Sequence, residues 1–167
     1  MRKIIYMTLA VLVLSCSGSK STAQKQPSKK TLKGTWEVTN LKFIGDKGIY
    51  KAFLFDLSDS SCFKGGEWVF IPNNGSGKFS TNANSSICEA TTNKIHWSFL
   101  ESGDGITQFQ FKYVGDDIKA KNVASGYRAT IQDLSDNVMV LKVPTTYEGN
   151  PFDVIMTFNK TSDNIDL

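Results

Sequence analysis

Three cysteines, at positions 16, 62 and 88, and a single histidine, His96, are the side chains of this 167-residue chain best suited to covalent or metal chemistry. No two cysteines form a Cys-x-x-Cys pair, so disulfide exchange of the thioredoxin kind has no support. His96 falls on the polar side of an alternating stretch, where a surface group is the simpler reading than a base or ligand. Zinc, copper and haem sites need more imidazole or thiolate donors than this sequence offers. Asp46, Asp56 and Asp59 are close in sequence, but they lack the spacing and glycine of a calcium loop and read as solvated carboxylates. Gly65-Gly66 and Gly75-Ser76-Gly77 are turn glycines, since no helical pattern follows them to make a phosphate cradle. No catalytic set, metal site or cofactor is therefore expected, which leaves covalent attachment and binding as the chemistry to explain.

Covalent attachment points to the N-terminus. Met1-Arg2-Lys3 is a short basic start, Ile4 to Leu14 is apolar apart from Tyr6 and Thr8, and Ser15 ends the run. That is the pattern of an export signal, at roughly half the ~20 apolar residues a spanning helix needs. Val13-Leu14-Ser15-Cys16 resembles the lipobox of bacterial lipoproteins. The resemblance implies that residues 1–15 are a signal peptide, that Cys16 becomes the mature N-terminus, and that its thiol carries a lipid holding the protein to a membrane. Residues 17–30, SGSKSTAQKQPSKK, have no large apolar side chain and cannot offset their own ordering entropy, so residues 16–30 are expected to be a flexible tether. No acidic run follows Cys16 of the kind associated with surface export, which favours an outer-membrane anchor with the domain facing the periplasm over display at the cell surface.

Charge and cysteine count then bound the domain at residues 31–167. The whole chain is formally +3, but Arg2, Lys3, Lys20, Lys25, Lys29 and Lys30 all precede Thr31, so the remainder has 13 basic against 16 acidic residues and is weakly acidic. A domain of that balance without a basic stripe is a poor nucleic-acid binder. If a lipid claims Cys16, then Cys62 and Cys88 remain as an even pair in an oxidising compartment. A disulfide between them is the natural reading, with two buried free thiols as the alternative.

Period-two alternation dominates from Gly34 onward and predicts eight strands. They run from Gly34 to Ile44, Glu67 to Ile71, Gly77 to Asn82, Lys94 to Leu100, Ile106 to Val114, Gly126 to Asp133, Asn137 to Val143 and Pro151 to Asn159. In the first, Trp36 and Val38 share one face and Leu41 and Phe43 the other, which asks for a bulge or a sharp bend near Asn40. Short turn-rich connections imply antiparallel neighbours, and eight of them with one apolar face close into an up-and-down barrel without exposed edges. The exception is Gly45 to Gly65, too long for a hairpin turn. Tyr50, Phe53, Leu54 and Leu57 fit helical spacing, so a short amphipathic helix is expected there, with a loop or an extra strand as alternatives.

Gly34-Thr35-Trp36 at the head of the first strand resembles the Gly-x-Trp signature of lipocalins, and Leu32 to Val38 resembles the opening of the lipocalin-like lipoproteins of Bacteroidetes. Cys62, Trp68-Val69-Phe70, Gly75, Cys88 and His96-Trp97-Ser98 extend the likeness, which spans Leu32 to about Lys160. It implies that Trp36 packs at the closed end of a barrel beneath a cation from the last strand. Lys160 stands here in place of the family's arginine and lacks the planar guanidinium face. It also implies that Gly45 to Gly65, with Tyr50, Phe53, Leu54 and Leu57, is a lid over the open mouth, pinned at its base by a bridge from Cys62 to Cys88.

An eight-stranded barrel is about the smallest that can either fill with side chains or hold one small ligand. Trp97, Phe99, Phe109, Phe111, Tyr113, Met139, Phe152, Met156 and Phe158 alternate inward and would line a site for a small hydrophobic, lipid-like molecule. The same residues are equally able to form a packed core, and periodicity does not separate the two. The function expected is that of a monomeric, non-enzymatic carrier at the cell envelope. The rival is a solid barrel that binds a protein through its loops. Full-length protein made in bacteria is expected to incorporate labelled palmitate and to fractionate with membranes, and Cys16→Ser to do neither. Label retained by that variant would place acylation elsewhere.

Overall fold

Alternation of apolar and polar residues is carried out strand by strand in the computed structural model, which describes residues 26–45 and 52–165. The strands are β1 (Gly34–Ile44), β2 (Phe53–Leu54), β3 (Ser58–Asp59), β4 (Glu67–Ile71), β5 (Ser76–Ser80), β6 (Thr92–Glu101), β7 (Thr107–Tyr113), β8 (Tyr127–Leu134), β9 (Val138–Tyr147) and β10 (Asn150–Ser162). Eight of them, all but β2 and β3, form one closed antiparallel barrel in which sequence neighbours are also neighbours in space. β1 completes the circle by pairing with both β4 and β10, so every strand of the cylinder has two partners. The expected up-and-down barrel is thus what forms, each strand lying within a few residues of its predicted range.

Register shows how the first strand serves two neighbours. Val38 opposes Phe158 and Asn40 opposes Thr157, which leaves Thr39 as the extra residue of a bulge. The inward parity changes there, from Trp36 and Val38 below it to Leu41 above it, as the sequence requires. At the turn between β4 and β5, the Asn74 carboxamide accepts from the Ser76 backbone N–H at 2.9 Å. Gly75 takes φ +68° beside it, and a Cβ on that residue would lie 2.6 Å from the Trp97 carbonyl oxygen. Only glycine meets both conditions.

The cylinder has two unlike ends. The turns β4–β5, β6–β7 and β8–β9 gather at the end where β1 starts, which we call the base. The longer connections 45–66, 81–91 and 114–126 gather at the other end, the mouth. Among the described residues a 3-10 turn, Lys29–Leu32, precedes β1 and buries Leu32, so Lys29 and Lys30, in the stretch expected to be tether, belong to a turn packed on the barrel. Cys16, the remainder of the signal and tether, Asp46 and Tyr50 lie outside the described residues.

The helix expected around Phe53, Leu54 and Leu57 is not there. β2 and β3 pair as a miniature hairpin, and its turn residues Phe55 and Asp56 have φ of +57° and +51°, in the left-handed region no right-handed helix contains. A helix presenting Phe53, Leu54 and Leu57 on one face would not bury Leu54 and Phe55 together. The tight turn does, with both side chains under 7 % exposed while Phe53 stands 61 % exposed. Burial of two adjacent side chains at the mouth outweighs the local helical spacing. A second 3-10 turn, Ser60–Phe63, follows, started by Asp59, whose carboxylate accepts from the Ser61 backbone N–H at 2.9 Å.

Cys62 in that turn is bridged to Cys88 in the connection between β5 and β6, with Cα atoms 5.3 Å apart. The disulfide ties two mouth loops together at the foot of the lid. In the chain-entropy view a loop of this length stabilises by about 3 kcal/mol. Cys62→Ala with Cys88→Ala is therefore expected to lower the unfolding free energy by about that amount in urea titrations. An unchanged midpoint would show that the bridge adds nothing the barrel closure lacks.

Candidate ligand site at the barrel mouth

At the base, the residues singled out in the sequence come together. The Trp36 indole N–H donates to the Leu32 carbonyl at 2.9 Å, and the Lys160 ammonium lies 5.2 Å from the centre of the Trp36 ring. An ammonium over an indole face is attractive without the stacking an arginine would add. Lys160 is oriented by Asp163, 2.9 Å away, and the hydrogen bond and charge of its ammonium hold that carboxyl below the usual carboxylate range. Gly34, at φ +114°, passes so close to Ser162 that a Cβ would collide with its carbonyl oxygen. Gly34, Trp36 and Lys160 thus close the base where β1 and β10 cross.

Along the axis, the predicted inward set does point inward. Trp97, Phe109, Phe111, Met139, Phe152, Met156 and Phe158 are buried in one cluster, with Phe99 and Tyr113 packed against it. The rings meet one another across the axis. Trp68 stacks on Phe79 with centroids 4.3 Å apart, and Phe109, Phe111 and Phe158 stand edge-on to the same indole at 5.7 to 6.4 Å. Phe70 continues the contact to Trp97 at 5.4 Å. Of the two readings left open by periodicity, the filled interior is the one that this structure holds.

Several of the rings that fill it had no sequence signal. Trp68 and Phe70 lie in Trp68-Val69-Phe70-Ile71, where every residue is apolar and alternation picks no face; Val69, on the opposite side, is itself buried. Phe79 is a lone ring in a polar strand. Phe63 and Phe55 come from loop residues, where no period applies.

Phe55 differs from all the strand-borne rings because the lid carries it in from outside the wall. It meets Phe63 at 5.6 Å, Trp68 at 6.1 Å, Phe111 at 5.0 Å and Tyr127 at 5.7 Å, each edge to face. Its carbonyl accepts from the Tyr113 hydroxyl at 2.9 Å, and the Asp56 carboxylate accepts from the Tyr127 hydroxyl at 3.1 Å. Both lid residues sit in a backbone region costly for a side chain, so those contacts hold them there. Of the predicted lid residues, Leu54 is buried, Leu57 packs against the core and Phe53 faces out. A crevice of about 550 Å³ runs between Phe53–Asp56 and the rim formed by Tyr127, Arg128, Val143 and Pro144.

His96 lies on the outer wall, in a groove of about 450 Å³ shared with Ser98, Gln110, Lys112, Tyr127 and Arg128. It is exposed on the face of β6 opposite the buried Ile95 and Trp97. Among the described residues no group of three or more His, Cys, Asp or Glu side chains is placed to hold a metal. No helix among them is long and apolar enough to cross a membrane.

The two lid-holding phenols are both raised above their ordinary pKa of about 10. Burial is the main cause for each, with Tyr127 and Asp56 adding charge repulsion at Tyr113 and the Asp56 hydrogen bond adding to the shift at Tyr127. The folded state thus holds their protons more tightly than the unfolded chain. The stability they contribute is complete below pH 10, where both states are protonated, and is lost as pH rises above it because the unfolded phenols ionise first. Urea midpoints are expected to be level from pH 7 to 9 and to fall above pH 10, and Tyr113→Phe to flatten that fall. An identical fall in the variant would take Tyr113 out of the account.

No protein-family model matches this sequence, and no curated protein matches it. Solved structures of bovine odorant binding protein are similar to it in chain trace. One, in complex with a selenium-containing odorant, has 16% identity and a TM-score of 0.44 over 86% of this chain and 77% of that one. Another, with its natural ligand, has 16% identity and a TM-score of 0.44 over 86% and 78%. A complex with undecanal has 18% identity and a TM-score of 0.43 over 81% and 73%.

Proposed function

We propose that this chain is a lipid-anchored, lipocalin-like binding protein of the cell envelope, monomeric and without a reaction of its own, that takes up a small hydrophobic molecule at the barrel mouth in place of the Phe55 ring. The observation that carries this reading is Phe55 itself: an apolar side chain delivered by a strained loop into an aromatic seat, which is how a ligand would enter. Phe63, Trp68, Phe111 and Tyr127 supply the walls of that seat, and the crevice beside Tyr127 and Val143 is the approach to it. Withdrawal of the hairpin Phe53–Asp59 needs no barrel strand to move, since among the described residues β2 and β3 pair only with each other. The anchor at Cys16 and an outer-membrane, periplasm-facing position follow from the lipobox resemblance and are part of the same proposal.

The rival, a solid barrel that meets a protein through its loops, is favoured by the filled axis. Uptake of an apolar fluorophore such as N-phenyl-1-naphthylamine by the mature domain separates the two. The carrier reading expects the wild type to bind it and Phe55→Ala to bind it more tightly, by up to about a hundredfold, because no closed state then competes. Binding by the variant alone would show a plug that does not leave, and binding by neither would show no seat. Either result hands the function to the rival.

A further inference from the structure

The chain has three tryptophans, all essentially withdrawn from solvent, and two of them have found acceptors for their indole N–H. Trp36 donates to the Leu32 carbonyl at 2.9 Å and Trp97 to the Ser76 carbonyl at 2.8 Å. Trp68, 0 % exposed, has no partner for Nε1 among the described residues. A buried indole N–H ordinarily finds an acceptor, and one left unpaired forfeits the hydrogen bond it had with water. Its ring contacts among the described residues are to Phe55, Phe70, Phe79, Phe109, Phe111 and Phe158, none of which carries a side-chain acceptor. The neighbour that the lid supplies, Phe55, is the one whose departure would admit another molecule beside this indole.

We infer that the ligand of the mouth is a neutral apolar molecule carrying a hydrogen-bond acceptor, a carbonyl or ether oxygen, and that the Trp68 indole N–H is the group that reads it. This rests on the reading in which a ligand replaces Phe55. An acceptor placed there restores the bond that Trp68 lacks, so the seat prefers it to a hydrocarbon of the same shape. A carboxylate would also accept, but it would be buried among rings beside the Asp56 carboxylate, with no countercharge at the indole. The selectivity runs ketone or ether first, hydrocarbon second on a solvation-corrected scale, and carboxylate last.

Phe55→Ala opens a seat of benzyl size, and ethylbenzene, acetophenone and benzoate are three probes of nearly one shape for it. Titration calorimetry at pH 7 gives the affinity of each for Phe55→Ala and for Phe55→Ala with Trp68→Phe. The ratio of acetophenone to ethylbenzene affinity cancels any general loosening of the pocket. It is expected to fall about tenfold on loss of the indole, with ethylbenzene itself shifting less than threefold, and benzoate is expected to bind at least tenfold more weakly than acetophenone. As a check that does not depend on the second substitution, the Trp68 indole proton resonance of Phe55→Ala should move downfield with acetophenone and not with ethylbenzene. If both probes bind, but the ratio holds and the resonance stays put, the indole donates only into the Phe111 or Phe158 ring and this inference falls while the seat stands. Benzoate binding as well as acetophenone would overturn the neutrality of the ligand. If neither ethylbenzene nor acetophenone binds, the seat itself fails and the inference fails with it.

Discussion

The stack of the Trp68 indole on the Phe79 ring, 4.3 Å between centroids, is the contact around which the interior is organised. Closing eight strands leaves a space that side chains must fill to crystal-like density or that something else must occupy. Here flat rings fill it, and they fill it edge to face: Phe109, Phe111 and Phe158 all present to the same indole at steep angles. Such packing leaves little slack, so room for a guest arises by removing a ring and not by compressing several. Most of the rings are strand-borne and cannot leave without breaking a ladder. Phe55 is not, and that asymmetry places any binding capacity at the mouth.

The two ends of the barrel are held by different means, and the difference has the same consequence. At the base, Trp36, Leu32, Gly34 and Lys160 are bound up with the pairing of β1 and β10, the longest ladder flanking the first strand. Any movement there opens the cylinder. At the mouth, the disulfide secures the loop only at Cys62, leaving the hairpin Phe53–Asp59 ahead of it attached to the wall through side chains and two phenol hydrogen bonds. One end is built to stay shut, whereas the other has a separable part.

Much of this was legible in the sequence, for a reason that also sets its limit. A strand with one wet face, such as Trp97 to Phe99 or Phe152 to Phe158, writes its orientation in alternation, and the bulge at Thr39 is visible because Trp36 and Val38 change parity with Leu41. Trp68-Val69-Phe70-Ile71 is apolar at every position and gives no parity. In the lid, Phe53, Leu54 and Leu57 satisfy a helical spacing by themselves, which favours a helix over the loop or extra strand that the segment also allows. Nothing local records that Tyr113 and Tyr127, more than fifty residues onward, capture the backbone of Phe55 and the carboxylate of Asp56. The pairing of Cys62 with Cys88 was readable from the number of cysteines, but whether the barrel is full or hollow was not, because a ring pointing inward is written identically in both cases.

Magnitudes decide whether a filled barrel is compatible with a carrier. Burying one phenylalanine ring stabilises by about 1.5–3 kcal/mol, and two hydrogen bonds by about 1 kcal/mol each. Against these stand about 1–3 kcal/mol of strain at each of Phe55 and Asp56 and the entropy of holding the hairpin in place. The closed lid is therefore favoured by no more than a few kcal/mol. A closed state favoured by about 3 kcal/mol leaves the seat open in roughly one molecule in 150, which weakens the apparent affinity by that factor and no more. A ligand with nanomolar affinity for the open seat would still bind in the submicromolar range, while the empty seat would keep its apolar walls covered. On this scale, if a ligand enters as proposed, the ring at the mouth would act as a resident competitor, holding the site dry and letting in only molecules that bind better than phenylalanine does.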